Sequence, residues 1–201
     1  MTLKQINLKT TALQMESSTK TSMPPTEIGA VTLSSLQQKQ ALDRLLQPEN
    51  TPYKITNNLE RYLEQLVRLD IKFNSNFEKI RYVIPKDIAI DKLETAMTKV
   101  LMSLQTFPTI EIEERLKNIL LLVSLPTNFD GTVATAKLSA IAKRLSEFPA
   151  DMVVQSIKLV EETSTFMPAY AEFYKHIKYP YTCRKMLYNE LHKCIAIKYI
   201  T

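Results

Sequence analysis

The chain has 201 residues, of which 45% are hydrophobic and 23% are charged, and this balance suits a globular protein of one domain with tails or two small domains. It contains only two glycines, Gly29 and Gly131, which excludes the glycine-rich phosphate loops of the commonest nucleotide-binding proteins. The net charge of +5 is mild, and most of it comes from the last sixth of the chain.

The sequence favours a cytoplasmic location. Its first residues lack the continuous apolar segment of a secretory signal. The longest apolar run, Ile119–Val123, is far too short to span a bilayer, so we expect no membrane contact. Two cysteines without a secretory signal are expected to stay reduced.

The N-terminal segment, residues 1–32, is predicted to be a flexible arm. It is rich in Thr, Ser, Gln and Met, and Pro24, Pro25 and Gly29 interrupt any helix there. A helical region is then predicted over residues 33–126.

The first part of this region carries two helical patterns. "TLSSLQQKQALDRLLQPEN" has a rough leucine stripe and ends at Pro48, and "TPYKITNNLERYLEQLVRLDIKF" has apolar residues at helical spacing with Asn57 or Asn58 as a candidate cap. The later "RYVI" could form a strand, but a lone short strand has no obvious partner.

Two more helices are predicted before residue 126. "PKDIAIDKLETAMTKVLMSLQTFP" ends at Pro108, and "TIEIEERLKNILLLVSLP" ends at Pro126 with Thr109 as its candidate cap. The second half of the latter is apolar almost all round, which is typical of a central buried helix.

Residues 127–201 are predicted to be a C-terminal helical domain with a basic terminal helix. In "LSEFPADMVVQSIKLVEETSTFMPAYAEF", each Phe closes one helix and the proline after it opens the next. We expect Phe148 and Phe166 to be buried, and Asp151 and Glu162 to be exposed. A further helix, "MPAYAEFYKHIKYP", precedes the basic helix "YTCRKMLYNELHKCIAIKYI".

These patterns together predict an all-α fold, an irregular multi-helix bundle with a flexible N-terminal arm. No catalytic, cofactor or metal site is predicted. Cys183 and Cys194 would lie about 16 Å apart along one helix, and no zinc-ligand spacing is present among the histidines and cysteines. Without a nucleophile motif or converging carboxylates, we expect the protein not to be an enzyme.

The basic C-terminal helix is the candidate functional element. From Tyr170 onward six basic side chains stand against two acidic ones, a net charge of +4, and six of the nine tyrosines lie there. Lysine and arginine neutralise phosphates, and tyrosine rings stack on bases. The candidate nucleic-acid contacts are Lys178, Arg184, Lys185, Lys193, Tyr181 and Tyr188.

Two other interpretations of this helix remain open. Its apolar residues allow the basic face to be simply the solvated side of a packed helix, or allow the helix to contact a partner helix. In every case Arg184 and Lys185 are expected on the solvated side.

A pattern in the C-terminal half resembles the small helical domain of phage helicase loader and inhibitor proteins, and of related uncharacterised phage and alphaproteobacterial proteins. The similarity covers roughly residues 130–178. It implies a small helical bundle that binds a DnaB-type replicative helicase through a flexible segment outside the bundle. The residues that carry it include Phe148, Pro149, Asp151, Ile157, Phe166, Pro168 and Glu172.

The chain departs from that family in two respects. The matching unit follows about 100 residues of other helical sequence, and a basic helix takes the place of a disordered acidic tail. Three functions are therefore expected as alternatives: a non-enzymatic adaptor that modulates or loads a replicative helicase, a nucleic-acid-binding protein, or a structural and oligomeric protein.

Overall fold

Seven helices and one short hairpin make up residues 31–124 and 130–200, which are the residues described by a computed structural model of the protein. The elements are α1 (Ser35–Leu45), α2 (Pro52–Val67), β1 (Asp70–Phe73), β2 (Lys79–Val83), α3 (Ile90–Ser103), α4 (Thr109–Leu122), α5 (Gly131–Leu145), α6 (Ala150–Thr163) and α7 (Tyr170–Ile200). The predicted all-α bundle is confirmed, with a small hairpin added. All but the last two residues of the predicted arm lie outside the described residues.

Side-chain caps and prolines determine where the helices begin. Ser34 caps α1 in a reciprocal box with Gln37. Thr51 caps α2 by accepting from the N–H of Lys54, and Pro52 takes the first helical position. The candidate caps Asn57 and Asn58 were therefore wrong, since both lie inside α2.

The start of α4 also differs from the prediction. Pro108 occupies the cap position, and Thr109 is the first helical residue rather than the cap. No side-chain oxygen caps this end, and Glu111 in the first turn supplies the negative charge that the helix dipole favours.

The strand at "RYVI" has a partner after all. Residues of β2 pair antiparallel with β1, placing Asp70 opposite Val83 and Ile71 opposite Tyr82. The side chain of Asn74 closes the connection by accepting from two backbone N–H groups of the turn. The partner strand was taken as the end of the preceding helical pattern, and for this reason the hairpin was missed.

The last two predicted helices are one helix, α7, with Pro180 in its interior. Proline lacks the N–H that would bond to the carbonyl four residues earlier, and it normally kinks or ends a helix. Pro180 is buried here, so both halves of α7 are held by packing against the rest of the protein. Tertiary contacts have overridden the local stop signal.

Two clusters of buried apolar residues form the core, and α7 contributes to both. The first combines α2, the hairpin and α3 with Leu187, Leu191 and Ile195 of α7. The second combines α4, α5 and α6 with Phe173 and Ile177. The division at residue 126 stays a prediction, although α4, which precedes it, packs in the same cluster as α5 and α6.

Helix α4 is not buried all round as its sequence indicated. Leu121 and Leu122 are 84% and 66% exposed, whereas Ile112, Leu116 and Ile119 are buried. Because α4 packs on one side against α5 and α6, only the side that carries Ile112, Leu116 and Ile119 is covered. The extra leucines face outward.

Candidate functional site

Four lysines form a line along the outer face of α7, which we call the lysine stripe: Lys175, Lys178, Lys185 and Lys193. All four are exposed. At about 100° per residue they fall within a sector of about 80° opposite the buried side of the helix, and at 1.5 Å per residue they extend over about 27 Å. No acidic residue lies in that sector, since Glu172 and Glu190 project to its flank.

The charges of the stripe are not neutralised within the described part of the protein. None of the four lysines forms an ion pair with a described residue. The ammonium of Lys185 lies 5.7 Å from the centre of the Tyr181 ring, which leaves the lysine positively charged. The stripe is therefore a surface that attracts an external anion.

Three of the four predicted basic contacts, Lys178, Lys185 and Lys193, lie on this stripe, but Arg184 does not. Its side chain is 0% exposed, and so is that of Asp151, to which it is paired. Both exposure predictions were wrong for the same physical reason: the two opposite charges compensate each other in the interior.

The interior site of Arg184 satisfies every donor of its guanidinium. Its five N–H groups reach both oxygens of Asp151 at 2.9 and 2.5 Å, the hydroxyl of Thr56 at 3.1 Å, and the carbonyls of Ser103 at 2.6 Å and Pro52 at 3.1 Å. One side chain of α7 is thus bonded to groups from α2, α3 and α6. Its role is structural rather than recognition of a ligand.

The two predicted stacking tyrosines are half-buried and already have neighbours. Tyr181 meets the Phe148 ring edge-on, with 5.0 Å between ring centres. Tyr188 stacks on His192 at 6.2 Å. Neither ring therefore offers a base a fully exposed face beside the lysine stripe.

The residues that carry the family resemblance form the junctions on either side of α6. Phe148, Pro149, Ile157 and Pro168 are buried. Glu172 fixes the start of α7, since its carboxylate accepts from the N–H of Ala169 and the hydroxyl of Ser164.

Phe166 is the exception at these junctions. It is 69% exposed, because its backbone pairs with Ser124 at the surface while its ring lies outside the second cluster. Its predicted burial was therefore wrong, and the predicted exposure of Glu162 was right.

Two exposed aromatic residues beside the stripe, Tyr53 and Tyr179, are not among the predicted nucleic-acid contacts. Tyr179, which follows Lys178, stacks on Tyr53 with 6.3 Å between ring centres and an interplanar angle of 28°. The pKa of Tyr179 is raised mainly by burial, while the backbone of Lys79 near its hydroxyl acts in the opposite direction. Strand β2, which begins at Lys79, packs against α7.

A buried polar cluster fastens the hairpin in that position. The carboxylate of Glu60 accepts from the ammonium of Lys79 at 2.6 and 2.8 Å and from the hydroxyl of Tyr82. The adjacent Cys183 is buried, and burial raises the pKa of its thiol. A protonated, inaccessible thiol is a poor nucleophile, so we expect Cys183 to be unreactive. The hydrogen bonds of Glu60 instead anchor the hairpin to α2.

The described residues hold no group of three or more His, Cys, Asp and Glu side chains placed to bind a metal ion. Over residues 31–124 and 130–200, no helix combines the length and apolar character that a membrane crossing requires.

Comparison of the sequence with protein-family models, of the chain with curated proteins, and of its fold with solved structures gave no match. The function is therefore inferred from the geometry and charge of the surfaces just described.

Proposed function

We propose that the protein is a non-enzymatic nucleic-acid-binding protein that holds the phosphate backbone along the lysine stripe. The observation that supports this proposal is an acid-free line of four exposed lysines on one helix, none of which forms an ion pair within residues 31–124 and 130–200. Each lysine that neutralises a phosphate releases condensed counterions, which supplies affinity without sequence preference. For comparison, a line of about 27 Å spans about eight phosphates of one strand of a duplex, which lie about 3.4 Å apart along the helix axis.

The salt dependence of binding tests the proposal. Four phosphate contacts on single-stranded DNA predict a slope of log affinity against log salt near −3, at about −0.7 per contact. Replacing Lys178 and Lys185 by Ala is expected to reduce the slope by about 1.4. Fluorescence anisotropy of a labelled oligonucleotide, titrated at several salt concentrations, measures both values.

A charge-matched control separates the stripe from net charge. Lys117 of α4 and Lys143 of α5 are exposed and lie outside the stripe, so their double replacement by Ala removes the same charge. We expect this control to keep the wild-type slope. Absence of binding at low salt, or an equal loss of slope in both double variants, contradicts the proposal.

A second candidate function is an adaptor that modulates or loads a DnaB-type replicative helicase, as the resemblance implies, but with its contact on the surface of the bundle in place of the flexible segment of that family. It is favoured by the apolar surface on α4, where Leu121 and Leu122 are exposed without a described partner helix. Such a contact is predicted to be insensitive to salt and to be lost when both leucines are replaced by Ser. Co-sedimentation with a purified helicase of this type measures it, and self-association lost in the same variant would instead indicate an oligomeric role.

A further inference from the structure

The tip of the hairpin exposes an aromatic residue in an unfavourable backbone conformation. Phe77 is 88% exposed and has a φ of 58°. It ends a tight turn in which its N–H bonds to the carbonyl of Asn74 at 3.1 Å. Glycine and asparagine adopt this left-handed conformation readily, whereas a bulky side chain is strained there. Neither burial nor backbone preference accounts for a phenylalanine at this position.

Other exposed apolar and basic side chains surround Phe77 on the hairpin. Phe73 and Ile80 are both exposed. Arg81 is exposed and forms no ion pair with a described residue, whereas Lys72, which lies opposite it on β1, is paired with Asp70 at 2.5 Å. The hairpin thus presents rings and cations together, a combination suited to bases and phosphates.

The hairpin packs through β2 against α7, the helix that carries the lysine stripe. Lys79, the first residue of β2, follows Phe77 by two residues, or about 7 Å of strand. Tyr179 in turn follows Lys178 and carries the stacked ring of Tyr53, and both tyrosines are exposed. One edge of the stripe is therefore bordered by exposed aromatic rings.

We infer that Phe77 and the Tyr53–Tyr179 pair form a base-stacking platform, and that the ligand along the stripe is single-stranded nucleic acid. This inference rests on the proposed function and specifies its substrate class. Duplex bases are already stacked on one another, whereas unpaired bases are free to stack on aromatic side chains while cations hold the backbone. A line of lysines with rings along one side provides both contacts at once.

Replacing Phe77 by Gly provides a test that separates binding from folding. Glycine removes the ring and also relieves the left-handed backbone strain, so the melting temperature is expected to stay equal or rise. The affinity of the full-length chain for a labelled oligo(dT) is expected to fall about fivefold or more, from the loss of one stacked base. The salt slope is expected to stay unchanged, because all four stripe lysines remain.

Phe166 provides the matched control, since it is an exposed phenylalanine at the junction between α6 and α7 and not on the hairpin, and its replacement by Ala is expected to leave the affinity unchanged. Wild-type protein is expected to bind oligo(dT) more tightly than a duplex of equal length at the same salt concentration. Equal or tighter duplex binding, or wild-type affinity in the Phe77→Gly variant, overturns the inference while the proposed function stands.

Two further outcomes also overturn the inference. Absence of any DNA binding at low salt refutes both the stacking platform and the proposed function. Phe77-dependent binding to vesicles of phosphatidylserine and phosphatidylcholine, without binding to oligo(dT), would assign the hairpin to an anionic membrane surface instead.

Discussion

Arg184 and Asp151 show how a residue predicted to recognise ligands can act inside the fold. Moving two charges out of water costs several kcal/mol each, and a buried pair persists only when its geometry and hydrogen bonds compensate. All five donors of Arg184 are bonded, and both oxygens of Asp151 accept from it. The pair therefore stabilises the one arrangement of α2, α3, α6 and α7 in which all of these hydrogen bonds can form.

Replacing Asp151 by Ala is expected to destabilise the protein strongly. The change leaves the arginine charge buried without its partner, which typically costs about 3–5 kcal/mol. For a chain of this size the melting temperature is expected to fall by roughly 6–20 °C. Circular dichroism during heating measures the shift.

Two variants check this explanation. Arg61→Met removes an exposed arginine of α2 and is expected to change stability by less than about 0.5 kcal/mol. Replacing the pair together, Asp151→Leu with Arg184→Met, is expected to recover much of the loss, since apolar residues of similar volume tolerate the same interior. A small effect of Asp151→Ala alone would show that the pair contributes little.

At the scale of elements, the two proline junctions of α6 look alike in sequence but differ in packing. Phe148 is buried among the rings of Tyr174 and Tyr181, at 5.9 and 5.0 Å between ring centres. Phe166 has its backbone held by Ser124 and its ring in solvent. The first junction is part of the core, and the second is a surface connection.

Replacement of each phenylalanine by Ala is therefore expected to have unequal effects. Phe148→Ala removes a buried aromatic side chain and leaves a cavity, at a cost of about 3–5 kcal/mol. Phe166→Ala is expected to stay within about 0.5 kcal/mol of the wild type. Urea unfolding of both variants gives the comparison, and equal losses would contradict the difference in burial.

Helical periodicity predicted the elements that can be recognised without knowing which other elements they pack against. The apolar residues of α5 and α6 recur at the 3.6-residue spacing of a helix, and Leu138, Ile141, Val153 and Ile157 are buried accordingly. The hairpin and the unbroken α7 were missed, because pairing at Ile71 and packing around Pro180 depend on distant parts of the chain.

The same distinction between local patterns and distant contacts applies to the residues of the candidate site. The charge of α7 predicted the exposed lysines Lys178, Lys185 and Lys193. The partner of Arg184 lies 33 residues earlier on another helix, and no local pattern indicates such a pair. The neighbouring aromatic surface depends on where the hairpin docks, which a single sequence does not reveal.

At the scale of the whole molecule, α7 joins two apolar clusters that have few other elements in common. Its first half belongs to the same cluster as α4, α5 and α6, and its second half belongs to that of α2, α3 and the hairpin. Arg184 lies between the two halves and bonds to three other helices. We therefore expect the described part of the chain to unfold as one cooperative unit.

Weakening one cluster is expected to destabilise the other. Leu93→Ala in the first cluster removes a residue that is 1% exposed, at a cost of about 2–5 kcal/mol. Hydrogen exchange of the α5 amides, which belong to the second cluster, is expected to become faster by a comparable free energy. Faster exchange confined to α2 and α3 would show that the clusters open independently.

The position of α7 in the chain also affects how a newly made molecule reaches this fold. Arg184 bonds to Thr56 and Pro52, which precede it by 128 and 132 residues. Translation at about 5–20 residues per second separates the appearance of these partners by about 6–26 s. During that interval the apolar faces of α2 and α3 lack the helix that finally covers them, so we expect the nascent chain to need chaperones that shield such segments.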